Sequence, residues 1–252
     1  MKHKIAAQLY TVRDLLEKDF PGVLKELKEM GYAGVQISGL FGNDPKEIAA
    51  VMTELGLGTA GMHIDLDSFR NELPRVLEEA EIFQTKDLIL PYLVEEDRNA
   101  ESYIALKAEL NEIASKLQED GYRISYHNHD FEFETEIDGQ NALDYLLEPT
   151  EDNLLLAELD VYWVKKGDKE IISFLEPYAN RMPIIHLKDM ANNEEKSFAE
   201  VGTGSIDFSP ILRWGEQNGI EWYAVEQDVC PGNPLDSLRV SITNLHKIID
   251  NM

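Results

Sequence analysis

Short apolar runs alternate along the chain with longer stretches whose apolar residues recur every three or four positions. Lys4–Tyr10 (KIAAQLY) reads as a strand and Asp14–Met30 as a helix, with Leu15, Leu16, Phe20, Val23, Leu24 and Leu27 at helical spacing and Gly31 as the stop. The same unit recurs as Ala33–Ser38 with Pro45–Leu55, Gly58–Asp65 with Phe69–Phe83, Asp87–Leu93 with Ala100–Asp120, and Arg123–His129 with Ala142–Leu147. It recurs again as Leu154–Val161 with Lys169–Ala179, Met182–Lys188 with Ser209–Asn218, and Glu221–Gln227 with Leu235–Asp250. Gly31, Gly56, Gly121 and Gly219 each fall between a helical stretch and the next strand, where a left-handed residue closes a helix without a Cβ penalty. Strand-helix alternation predicts parallel strands joined by right-handed crossovers, and eight such units are the number that closes a (β/α)8 TIM barrel. An open doubly wound sheet is the rival, and the absence of Gly-x-Gly-x-x-Gly after the first strand counts against it.

The boundaries leave no linker of Pro/Gly/Ser composition, so residues 1–252 are expected to form one α/β domain. Asp130–Gly139 reads as a small hairpin or loop, and Ala191–Ile206 as a long loop after the seventh strand. Charge narrows the function classes. Lys and Arg total 23 against 48 Asp and Glu, a formal net charge of −25, with no basic cluster. Such a chain has no electrostatic footprint for a phosphate backbone or an anionic membrane surface, so neither a nucleic acid nor a membrane is expected as partner. The single cysteine, Cys230, excludes an intrachain disulfide. The N-terminal apolar run is broken at Gln8 and Arg13, which is unlike a signal peptide, and a cytoplasmic location is expected.

In a barrel the chemistry lies at the C-terminal ends of the strands, so polar pairs there become candidates. They are Gln8 and Tyr10, His63 and Asp65, His127 and His129, Glu158 and Asp160, His186 and Lys188, and Glu226 and Asp228. Members of each pair are two apart, which turns both side chains to one face of a strand. Imidazoles and carboxylates converging from separate rigid strands suit one divalent cation such as Mn, Zn, Mg or Co. Without a cation, several like charges would share a low-dielectric mouth.

The runs SYHNHDFEF (Ser125–Phe133), AELDVYWV (Ala157–Val164), IIHLKD (Ile184–Asp189), GTGSIDF (Gly202–Phe208) and AVEQD (Ala224–Asp228), with the opening AAQLYTVRD, resemble the sugar phosphate isomerase/epimerase family. Those are xylose-isomerase-like TIM barrels, whose relatives include ketose 3-epimerases, inosose dehydratase and endonuclease IV. The resemblance covers essentially the whole chain. It implies one divalent metal held by a carboxylate on strand 5, an aspartate on strand 6, a histidine on strand 7 and a glutamate on strand 8. Asp160, His186 and Glu226 match the last three positions. The fifth strand carries His127 where many members have a glutamate, so the fourth ligand is His127, Glu132 or Glu158. Trp163 stands where the ketose epimerases place a histidine.

The resemblance implies a small sugar or sugar phosphate as substrate, and proton abstraction next to a carbonyl through a metal-stabilised enediolate, giving a sugar isomerase or epimerase. Glu226 is the first candidate for the base, and Glu132, His129 or Lys188 for the second acid/base. Gln8, Tyr10, His63 and Trp163 are candidate substrate contacts, with Trp163 either a platform for a sugar ring or core. Gly202–Thr203–Gly204 reads either as an amide cradle for phosphate or as a lid. Lys188 and Arg13 are the only evident cations at the mouth, which favours an unphosphorylated substrate. The same early steps serve a dehydratase or lyase acting on inososes or keto-sugars, and a non-catalytic sugar-binding barrel is the third reading. A homo-oligomer is compatible with barrels of this kind, though no sequence feature specifies an interface.

Overall fold

Eight parallel strands succeed one another around a ring in the computed structural model, which describes residues 1–252. Strands 1 to 8 span Ile5–Gln8, Gly34–Ile37, Gly58–His63, Asp87–Leu90, Arg123–His127, Leu156–Glu158, Ile184–Leu187 and Trp222–Val225. The hydrogen-bonded order is 6-5-4-3-2-1-8-7. The ring is completed where strands 6 and 7 meet through a single parallel bridge, Asp160 to His186, with His186 N donating to Leu159 O at 2.9 Å. By contrast strands 1 and 8 pair along Ile5–Ala7 with Tyr223–Val225. The weak join is therefore beside the polar strand ends. This is the (β/α)8 architecture that the alternation predicts.

Helices follow the strands and pack their apolar faces on the outside of the ring. The helix Pro45–Leu55 begins on Asp44, whose carboxylate accepts from Lys46 N and Glu47 N, and ends on Gly56 at φ 64°. Three differences from the expected elements have local causes. The third helical segment is broken into Leu66–Asn71 and Leu73–Ile82, since Pro74 lacks the N–H that a continuous helix would use. An additional short helix, Val161–Lys166, starts immediately after strand 6 because the Asp160 side chain caps Tyr162 N at 2.9 Å. Strands 1, 3, 4, 5, 6 and 8 stop two or three residues short of the expected ends; after strand 1 Gln8 caps Tyr10 N, and after strand 3 Asp65 caps Ser68 N, which turns the chain away from the sheet.

The lower half of the barrel is plugged. Ile89, Ile184 and Ala224 pack inside it with Trp222 beneath. A Cβ on Gly34 or Gly58 would stand 2.8 or 2.9 Å from the Trp222 ring, so these two positions admit only glycine. Arg123 joins Asp87 at 2.6 and 2.7 Å and Glu221 at 2.6 and 2.9 Å, closing the N-terminal end with charge-assisted bonds. Access is left from the C-terminal end only. No helix is long and apolar enough to cross a membrane.

Candidate metal centre

Inward-facing polar residues stack above the plug in two tiers. The lower tier is built around Glu158, which is fully buried. Its Oε1 lies 2.7 Å from His63 Nε2, 3.0 Å from His186 Nε2 and 3.2 Å from His127 Nδ1. Its Oε2 accepts from Gln36 Nε2 at 2.5 Å, and Gln8 Nε2 donates to Gln36 Oε1 at 2.6 Å. Burial would push the Glu158 carboxyl up, but the His186 and His63 imidazoles outweigh it and hold the group well below the usual carboxylate range. His186 is likewise opposed by burial, yet the neighbouring Glu158 and Glu226 carry its pKa up to about 10. His127 is left neutral, lowered to about 3 by burial and by the charge on His186.

The upper tier centres on Lys188, which is fully buried rather than extended to solvent. Its ammonium lies 2.6 Å from Asp228, 2.9 Å from Asp160 and 3.0 Å from Glu226. Asp160 Oδ2 faces that ammonium without the alignment of a hydrogen bond, so one of its lone pairs is unspent. Burial raises the Asp160 carboxyl to about 6 against the pull of Lys188 and His186. Glu226 is held well below the usual range, its burial outweighed by Lys188 and by His186, whose Nδ1 is 3.0 Å away.

His127, Asp160, His186 and Glu226 each present a donor atom within 4.8 Å of the others, and all four are buried. Two imidazoles and two carboxylates on four rigid strand ends form a donor set suited to Mn, Co or Zn. The residues fit a divalent ion. This is the quartet expected from the sequence, with His127 in the strand-5 position. Glu158 joins a second, overlapping group with His63, His127 and His186. Glu132 belongs to neither.

A cavity of about 750 Å³ opens above the two tiers. Glu226, Asp228, His63 and His127 form its floor, and Tyr92, His129, Trp163 and Phe198 line it as well. The His129 and Phe131 rings stack at 5.1 Å, and Trp163 lies 5.1 Å from His129, so the imidazole is held between aromatic rings. Its Nδ1 has no hydrogen-bond partner. Burial first, then the charges of His127 and Lys188, keeps the ring well below its ordinary pKa. Trp163 is 8% exposed and borders both core and cavity.

Several expected residues are placed differently. Glu132 is buried away from the cavity, where its oxygens accept from the Tyr126 hydroxyl and from His129 N, both at 2.8 Å. Burial pushes its carboxyl up to about 7. It neither reaches the cavity nor offers a free oxygen to a metal, so its expected acid/base or ligand role has no geometric basis. The amides of Gly202 and Gly204, read either as a phosphate cradle or as part of a lid, donate to Asp189 Oδ2 at 3.0 and 2.8 Å. Ile206 N and Met190 N complete the ring around Asp189 Oδ1 at 3.1 and 2.7 Å. The loop wraps a carboxylate of the chain itself and has no amide left for a phosphate at these positions. Arg13 donates to Tyr10 O and Asp228 O, and its guanidinium lies over the Tyr10 ring at 4.1 Å. Tyr10 sits in a 3-10 turn at the cavity rim, 42% exposed. Gln8 is buried in the lower tier and is not a cavity wall. Asp65 reaches the cavity but caps the Leu66–Asn71 helix through Ser68 N and Oγ.

The sequence reading missed Gln36, which bonds Glu158 and also lies 2.7 Å from His186 Nε2. A lone glutamine between Val35 and Ile37 in an apolar strand was the signal. It also missed Tyr92 and Phe198, which approach the cavity from loops that periodicity does not register.

No family model matches the chain. Among curated proteins it is similar to inosose dehydratases. It is 27% identical over 157 residues to that of Clostridium perfringens, covering 55% of this chain and 52% of the relative. It is 23% identical over 274 residues to that of Geobacillus kaustophilus, covering 91% and 87%. In the first of these matches the chain spans about half the length of the curated relative, 52%. Among solved structures, a sugar phosphate isomerase/epimerase from Parabacteroides distasonis superposes with a TM-score of 0.78 at 21% identity, covering 96% of this chain and 97% of that one. The IolI protein, whose structure carries a bound zinc atom, superposes with a TM-score of 0.72 at 13% identity over 98% of each chain. The fold is thus that of the xylose-isomerase-like TIM barrels. Within that fold, the curated relatives are dehydratases rather than isomerases.

Proposed function

We propose that this chain is a metal-dependent dehydratase of cyclic keto-polyols, with an uncharged inosose-like ketone as its substrate class. The carrying observation is the buried His127–Asp160–His186–Glu226 group at the floor of a cavity whose wall holds an imidazole with an unpartnered nitrogen. Similarity to inosose dehydratases supports elimination over the isomerase or epimerase reading. An uncharged substrate is supported by the commitments of the nearby cations: Lys188 is enclosed by three carboxylates, Arg13 is spent on backbone carbonyls, and Arg75, which lines the cavity, is paired with Glu72 and Glu79.

His127, Asp160, His186 and Glu226 would hold a divalent ion, which would supply Lewis-acid polarisation of a substrate carbonyl and so lower the cost of removing the α-proton. His129 is the residue we assign to that proton. It lines the cavity, and aromatic rings on two sides hold it in place. After accepting the α-proton, the same imidazolium delivers it to the departing β-hydroxyl, so one proton moves and one water leaves. Glu226, with Oε2 already between His186 and Lys188, serves better as ligand than as base. Lys188 keeps Asp160 and Glu226 from repelling each other. Trp163 and Phe198 offer apolar faces to the C–H surface of a polyol ring.

The test is to incubate metal-loaded protein with 2-keto-myo-inositol and related keto-polyols, following absorbance of the conjugated ketone. Appearance of that band with release of one water is the expected outcome. Solvent deuterium entering recovered substrate or an isomer, with no band, would instead identify an isomerase or epimerase. Binding without exchange would make the chain a sugar-binding barrel.

A further inference from the structure

We infer that Arg98 is a positioning residue for the His129 imidazole, acting through the rings of Phe131 and Tyr92. The inference rests on the proposed function only in taking His129 as the group that carries the α-proton.

No hydrogen bond orients that imidazole. Its Nδ1 has no partner, and the residue's hydrogen bonds run through its backbone, N to Glu132 Oε2 at 2.8 Å and O from Asn128 Nδ2 at 3.1 Å. A histidine that moves protons is ordinarily oriented by a hydrogen bond from its other nitrogen to a carboxylate or carbonyl. Here ring contacts take over that task. Phe131 lies near-parallel to the imidazole, at 11° and 5.1 Å, and Tyr92 meets both rings edge to face, 5.5 Å from His129 and 5.8 Å from Phe131. Such contacts fix the imidazole plane only as firmly as the neighbouring rings are themselves fixed.

Arg98 fixes two of them. Its guanidinium lies over the face of Phe131, 3.7 Å from the centroid, and 4.8 Å from that of Tyr92. Its Nη2 donates to the Tyr92 hydroxyl, and its Nε donates to Leu93 O at 3.0 Å. One planar fork thus ties the loop after strand 4, which carries Tyr92, to the loop after strand 5, which carries Phe131. Arg98 belongs to no ion pair, although Glu95, Glu96 and Asp97 immediately precede it. In a chain of net charge −25 this half-buried guanidinium is turned to aromatic faces and a carbonyl instead of to carboxylates, where cation–π attraction and hydrogen bonding hold it.

The experiment compares the full chain with Arg98→Met and Arg98→Lys by two readouts. The first is the His129 Hε1 resonance in metal-free protein labelled with ring-13C histidine, assigned by its loss in His129→Gln; stacked aromatic rings displace it from the position of a free imidazole. The second is kcat and KM for elimination, or for solvent deuterium exchange, in metal-loaded protein. Arg98→Met should move the resonance toward the free position and lower kcat by about 10- to 10²-fold, with a smaller change in KM. Arg98→Lys, which keeps a cation for Phe131, should recover part of both. A resonance that stays in place in Arg98→Met overturns the inference whatever happens to kcat, because Arg98 would then not act through the ring. A moved resonance with unchanged kcat overturns it too, and so does an Arg98→Lys protein indistinguishable from Arg98→Met. If wild type turns over no keto-polyol, the proposed function falls and the resonance decides the positioning by itself. If circular dichroism shows Arg98→Met unfolded, Phe131→Leu replaces it, since it removes the ring that transmits the effect, and the same outcomes apply.

Discussion

Each buried titratable side chain in the two tiers is defined by the charges it faces, and Glu132 shows what happens to one that faces no cation. Its carboxyl is carried by burial from 4.5 to about 7 while it accepts hydrogen bonds from Tyr126 and His129. Because the folded state holds this proton more tightly than the unfolded one, the associated stability is complete below pH 4.5 and is lost as pH rises to 7. A shift of this size corresponds to a few kcal/mol, roughly 3. Glu132→Gln should remove that slope, so denaturation midpoints of wild type and variant should converge at pH 5 and separate by pH 8 in favour of the variant. Equal slopes in both proteins would refute it. His129 makes a different prediction. His129→Gln should lower kcat by about 10²- to 10⁴-fold, the range of a lost acid/base, while the metal ratio stays at the wild-type value. A variant with near-normal kcat would transfer the proton step elsewhere.

At the scale of elements, the pattern of apolar positions was sufficient for all eight units because strands and helices in this architecture bury faces with different periods. It was insufficient where a side chain rather than a period ends an element. Asp160 stops strand 6 by capping Tyr162, and Pro74 divides the third helical segment. The strand-end pairs named four residues, His127, Asp160, His186 and Glu226, that the fold brings within 4.8 Å of one another, since alternation along a strand fixes which residues face inward. Of the two readings of the glycine loop, the cradle fails for the same reason that it was considered: amides beside glycines resemble an anion cradle, and only the fold reveals that Asp189 already fills it. That loop carries a sharp prediction. A Cβ on Gly204 would lie 2.3 Å from Met190 O and 2.4 Å from Asp189 Oδ1. Gly204→Ala should therefore cost about 1–3 kcal/mol in urea denaturation, within the range for overpacking, and expose residues 191–206 to protease. An unchanged midpoint would mean that the loop is not held as described.

For the whole molecule, charge and closure are linked. Glu158, Asp160, Glu226 and Asp228 gather at one end of a chain that already carries a net charge of −25, with Lys188 as their buried ammonium. Binding of a divalent ion there favours the folded state by mass action, by about 2.7 kcal/mol at a hundredfold excess over Kd. Mn, Co or Zn should raise Tm in wild type, and the increase should largely disappear in the Asp160→Asn, Glu226→Gln variant. A rise of equal size in both would place the binding elsewhere.

The single bridge between strands 6 and 7 adds a kinetic side to this. Asp160 stands on one side of that join and His186 on the other, so an ion held by both acts as a clasp across the least-paired part of the ring. Ion exchange would then be paced by breathing of the barrel wall rather than by diffusion through the mouth, and the His186 amide, bonded to Leu159 O, would be its reporter.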